Sequence, residues 1–115
     1  MTASEQPGAI SVKYKIDTSD IGLVKTMTFE MRNFGDAPIK PFVTAYVGGT
    51  DNSAMKEFEY DQIPPGYKMV KTETVNMPVS GLHEPNAIKG VLKDVLQNKK
   101  ILGEDSKTYT AKPSG

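Results

Sequence analysis

From Met27 to Arg32 the chain alternates strictly, with Met27, Phe29 and Met31 on one side and Thr28, Glu30 and Arg32 on the other. Successive side chains of a strand point to opposite faces, so this run has one face for a core and one for water. A helix would scatter the same six residues around its circumference. The run ends in Asn33-Phe34-Gly35-Asp36-Ala37-Pro38, a string of turn formers, and a second strand-like run follows to Val47. Two such runs joined by so short a turn restrict the chain to antiparallel β layers.

The same period recurs upstream. Ile10, Val12, Tyr14 and Ile16 alternate with Ser11, Lys13 and Lys15, which predicts a first strand. Asp17-Thr18-Ser19-Asp20 supplies the turn after it. Pro38 and Pro41 flank Ile39 and Lys40, and a proline cannot donate to a ladder, so this piece is expected to be an edge, a crossover or a bulge. The third strand then runs from Phe42 to Val47 with sizeable groups on both faces, as expected at a sheet centre. Gly48 to Ser53 reads as a loop and Met55 to Tyr60 as a short strand. Ile63-Pro64-Pro65-Gly66 turns the chain into a long strand over Tyr67 to Val79, whose apolar set changes parity between Val70 and Val75; that change predicts a bulge near Lys71 to Thr74.

Asn86 to Lys100 stays open between two readings. Ile88, Val91, Leu92, Val95 and Leu96 fit helical spacing, and Pro85 with Asn86 suits a helix start. Gly90 in the interior and β-branched Val91 and Val95 favour strands, with Asn98-Lys99-Lys100 turning the chain towards Ile101-Leu102 and Lys107 to Ala111.

Composition narrows the function classes. At 115 residues the chain fits one domain, read as 9–112 between polar tails at 1–8, expected to be disordered, and 113–115. The 14 Lys plus Arg equal the 14 Asp plus Glu, and only Arg32 is arginine, so neither a net field nor guanidinium forks favour nucleic acid. Cysteine is absent, which excludes disulfides, thiolate metal sites and thiol nucleophiles. No apolar run approaches the roughly 20 residues of a membrane-spanning helix, and the Met1 to Gly8 start is not a signal peptide.

Reaction centres are poorly motivated. His83 is the only histidine and sits in the loop Ser80 to Pro85, where an ordinary surface role is the expectation over a triad with Ser80. Glu57, Glu59 and Asp61 share one face at strand spacing, with Asp51 nearby in the chain; hard cations such as calcium use carboxylates of this kind, and a solvated outer face is the competing reading. Gly48-Gly49-Thr50 lacks the Gly-Lys-Ser/Thr ending of a phosphate cradle. Phe34, Tyr46, Tyr60, Tyr67 and Tyr109 are candidates for a stacking platform or for the core, with Phe34 in a turn the one expected to be exposed to a partner. Ile39-Lys40-Pro41 and the Lys68 to Lys71 region read as protection of open sheet edges.

The turn Arg32 to Pro38, the strand Val43 to Val47 and the corner Ile63-Pro64-Pro65-Gly66 together resemble bacterial and archaeal immunoglobulin-like domains, above all the adhesion-related CARDB modules. The likeness covers about residues 10–79 and rests on the Asn-x-Gly step after the second strand and the Pro-Gly turn before the fifth. The span is also similar to the water-stress WHy domain, though Asn33-Phe34 stands where that family has Asn-Pro, and the size is similar to soluble domains of archaeal surface-filament accessory proteins. The resemblance implies an all-β, immunoglobulin-like antiparallel sandwich of about seven strands, with a short helix near 86–98 as the alternative there. It further implies a non-catalytic interaction or scaffold module at the cell surface, with a protein partner such as a surface-layer or filament component and no cofactor. A calcium-binding domain or hydrolase on Glu57 to Asp61, and an intracellular protective WHy-type role, are the alternatives.

Overall fold

The computed structural model describes residues 8–17, 22–48, 54–79 and 85–110. Its strands are β1 (Gly8–Asp17), β2 (Leu23–Asn33), β3 (Pro41–Gly48), β4 (Ala54–Glu59), β5 (Lys68–Pro78), β6 (Pro85–Asp94) and β7 (Lys100–Thr110). They form two antiparallel sheets, β1-β2-β5 and β4-β3-β6-β7. This is an all-β immunoglobulin-like sandwich in which the fourth strand pairs with the third rather than with the fifth.

The alternation read from the sequence decides the layers. Ile10 and Val12 from β1 and Met27, Phe29 and Met31 from β2 meet Val43, Ala45 and Val47 from β3 and Ile88 and Leu92 from β6 in one core. β3 lies inside its sheet, between β4 and β6, and is buried along nearly its whole length. Residues 86–94 are strand, and the helical alternative shrinks to a single 3₁₀ turn over Val95–Gln97. Gly90 explains the poor alternation there. A Cβ at Gly90 would stand 2.7 Å from Val12 Cγ2, so the facing sheet approaches too closely for any side chain.

Two expectations need correction. Ile39-Lys40-Pro41 protects no edge: the chain crosses there from one sheet to the other, Ile39 bridges Ile63, and Pro41 opens an interior strand. The bulge of β5 lies later than Lys71 to Thr74. Thr26 pairs with Thr74 and Val24 with Met77, so Val75 and Asn76 together face Lys25, and Asn76 takes φ 47°. Val70, which suggested the earlier position, points away from the core and is exposed. β5, which carries Lys68 and Lys71, is an edge strand.

Candidate interaction site

Asn33 organises the end of the sandwich to which Phe34 belongs. Buried at the close of β2, its Nδ2 donates to Ala37 O (2.8 Å) and Ile63 O (2.9 Å), and its Oδ1 accepts from Gly35 N (2.9 Å). Its backbone N donates to Tyr67 O and its backbone O accepts from Gly66 N. Gly66 takes φ +80° at the corner of the Pro64–Tyr67 turn, closed by Tyr67 N donating to Pro64 O (3.1 Å), a conformation open to glycine. One buried amide therefore ties two loops together, and the turn formers of the sequence are the signal of it.

Held by this clamp, Phe34 is 62% exposed. It lines an open groove of about 390 Å³ between the edge strands β1 and β7, with Ile10, Leu102 and Glu104 among the other walls. Gly8 and Gly103 leave its floor as bare backbone. Gly8 O and Ile10 N lie 3.5 and 3.9 Å from where a Gly103 Cβ would stand. An exposed ring on a pinned turn, beside edge backbone, is suited to anchoring a partner segment at low ordering cost.

Asp105 guards the same edge further along. Its Oδ2 accepts from Val12 N and from Lys107 Nζ, both at 2.8 Å. Burial would raise its carboxyl, but the bonds from Lys107, Val12 and Ser106 outweigh that and hold it below the ordinary value of 3.8. Asp94 is a second buried carboxylate, accepting from Lys40 N and Leu96 N at Oδ1 and from Gln97 Nε2 at Oδ2. It caps the 3₁₀ turn and fastens the crossover, a structural duty that its neighbours in sequence did not announce.

The other candidates scatter. Glu57 and Glu59 face outward from β4, Glu59 paired with Lys40 at 3.4 Å, while Asp61 falls beyond the strand. Among the described residues no three acidic or histidine side chains gather in a way that could hold a metal ion. His83, Ser80, Asp51, Gly49 and Thr50 lie outside the described residues. Tyr46 lies on the outer face under Lys89, Tyr60 packs on Phe58 inside, Tyr109 meets Tyr14 edge-on, and Tyr67 is exposed; they form no common platform. Burial, together with the Glu73 carboxylate that accepts the Tyr60 hydroxyl at 2.6 Å, pushes the Tyr60 phenol well above its usual 10.0.

No family model matches the sequence, and no curated protein matches it significantly. Solved structures do match. The chain superimposes on part of a β-glucuronidase of glycoside hydrolase family 2 with a TM-score of 0.73 and 14% identity, covering 91% of this chain and 13% of that one. A Bacteroides uniformis β-glucuronidase gives 0.63 and 8%, covering 91% and 14%. A Bacteroides fragilis protein described as a β-galactosidase gives 0.65 and 12%, covering 91% and 18%. The chain thus spans less than a fifth of each of these longer proteins, and at such identities the likeness is one of fold: an immunoglobulin-like β-sandwich.

Proposed function

We propose that this chain is a non-catalytic interaction or scaffold module of an extracytoplasmic, cell-surface assembly, and that it grips a protein partner through the Phe34 groove. The observation that carries the reading is Phe34 itself, a large apolar ring held out to solvent by a fully bonded buried amide. Solvent exposure of such a ring gains nothing for folding, whereas a partner would bury it. Three features support a module role. The structural neighbours carry the same sandwich as a small part of much longer chains. The first strand begins and the last strand ends at opposite ends of the sandwich, which suits serial linkage. Among the described residues no helix is long and apolar enough to cross a membrane. The CARDB-like resemblance supplies the surface location.

The test is site-specific crosslinking in intact cells, with a photoreactive phenylalanine analogue in place of Phe34 or, as comparison, of the outward-facing Thr72. The expected result is one discrete adduct with a surface-exposed protein from the Phe34 position alone. Identical products from both positions, or adducts only with cytoplasmic proteins, would overturn the reading.

A further inference from the structure

At one end of the charged outer face of the four-stranded sheet, two lysines converge on a single ring. Register sets Glu59 of β4, Phe42 of β3, Lys93 of β6 and Ile101 of β7 in one row. Lys93 Nζ lies 5.9 Å from the Phe42 centroid, and Lys99 Nζ, arriving from the turn after β6, lies 4.3 Å from it. Both reach the ring from the β6 side, while Glu59 flanks it from β4 and is already paired with Lys40 at 3.4 Å. Lys93 and Lys99 have no ion-pair partner among the described residues.

Lys99 is held in this place at a cost. Asn98 and Lys99 take φ 58° and 60°, the left-handed region where glycine or asparagine is usual and lysine is not. Asn98 N donates to Val95 O (3.2 Å) and Lys99 N to Asp94 O (2.8 Å), which fastens the turn. A glycine would close the same turn without strain, so the side chain over Phe42 is what the lysine adds.

Two neighbouring cations repel, and an anion set between them relieves the repulsion. Lys93 Nζ is further fixed by donating to Thr44 Oγ1 at 3.3 Å. An ammonium is a point charge with three donors, so a pair of them matches a compact, doubly charged oxyanion. A planar carboxylate suits a guanidinium fork better, and the only arginine, Arg32, lies on the other sheet beside Glu30. Ile101, 55% exposed next to Lys93, offers apolar contact to an organic group carried by the anion.

From this arrangement we infer that Lys93 and Lys99 bind the phosphate group of a phosphate monoester whose organic body lies against Ile101. Such an ester carries nearly two negative charges at neutral pH, one for each lysine. The site shares no residue with the Phe34 groove and stands or falls separately from it.

The experiment is a nuclear magnetic resonance titration of the whole isotope-labelled chain at neutral pH and low salt, with phenyl phosphate, inorganic phosphate and acetate. Saturable shifts of the Lys93, Lys99 and Ile101 amides are expected, tightest for phenyl phosphate, weaker for inorganic phosphate and weakest for acetate. Lys93→Ala and Lys99→Gly should each weaken phenyl phosphate binding about tenfold, by removing one charge-assisted contact. Lys13→Ala, on the outward face of the other sheet, should leave it unchanged. The amide spectra show in the same experiment that the variants are folded. Shifts that do not saturate, acetate or inorganic phosphate binding as tightly as phenyl phosphate, or Lys93 and Lys99 variants that bind like wild type would overturn the inference.

Discussion

The sandwich closes differently along its two sides. Where β1 meets β7 and β6, backbones approach: Gly90 has no room for a Cβ against Val12, Gly103 lies against Gly8 O, and Asp105 reaches across to the Val12 amide. Where β4 meets β5, side chains span a wider opening: Tyr60 hands its hydroxyl proton to a hydrogen bond with Glu73, and Lys71 covers the Tyr60 ring at 5.9 Å. The first side gains stability from close packing, which at Gly90 leaves no room for a Cβ unless Val12 moves. The second uses inward-pointing charges at an open edge, a device that also discourages strand addition.

Overfilling the tight side at Gly90 costs most. Gly90→Ala should destabilise by about 1–3 kcal/mol in chemical denaturation, because the new methyl has a short, branched neighbour that cannot swing aside. Combining it with Val12→Ala should recover part of that loss, the coupling expected of two residues in contact. A fully tolerated Gly90→Ala would erase the distinction between the two sides.

On the open side, Tyr60→Phe should cost about 1 kcal/mol, the worth of one partly buried hydrogen bond to a carboxylate. Its pH signature is more telling. The folded phenol holds its proton above the unfolded value of 10.0, so its contribution is complete below that pH and is lost as pH rises past it. Stability measured from pH 9 to 11 should therefore fall more steeply in wild type than in Tyr60→Phe.

The smallest effect belongs to Asp105→Asn, under about 1 kcal/mol, since an amide oxygen still accepts from Val12 N. Here the sign reverses. The folded carboxyl lies below 3.8, so its contribution is present above that pH and disappears as pH falls through it. The acid limb of the wild-type stability curve should be steeper than that of the variant.

How much the sequence disclosed follows from where alternation survives. β1 and β2 each have one wet face, so Ile10, Val12, Met27, Phe29 and Met31 announced both strand and core. β6 hid because it lies inside its sheet: Val91 on its outer face is covered as well, and Gly90 leaves a gap in the inner row, so the remaining apolar residues mimic helical spacing. The β5 bulge was misplaced because Lys71 and Glu73 occupy inward positions that look like outer ones, while Val70 is exposed. Of the candidate site, Phe34 was legible as an apolar residue within turn formers. The groove beside it was not, since it depends on β1 and β7, 93 residues apart at the Val12 to Asp105 bond, lying side by side.

The strand order is the foundation of both the Phe34 groove and the charged face, and nuclear Overhauser contacts between strands test it most directly. Cross-strand contacts of Thr44 with Glu57 on one side and Val91 on the other, with Phe29 opposite Lys71, are the predicted result. Contacts placing Glu57 and its neighbours against β5 instead of β3 would contradict it.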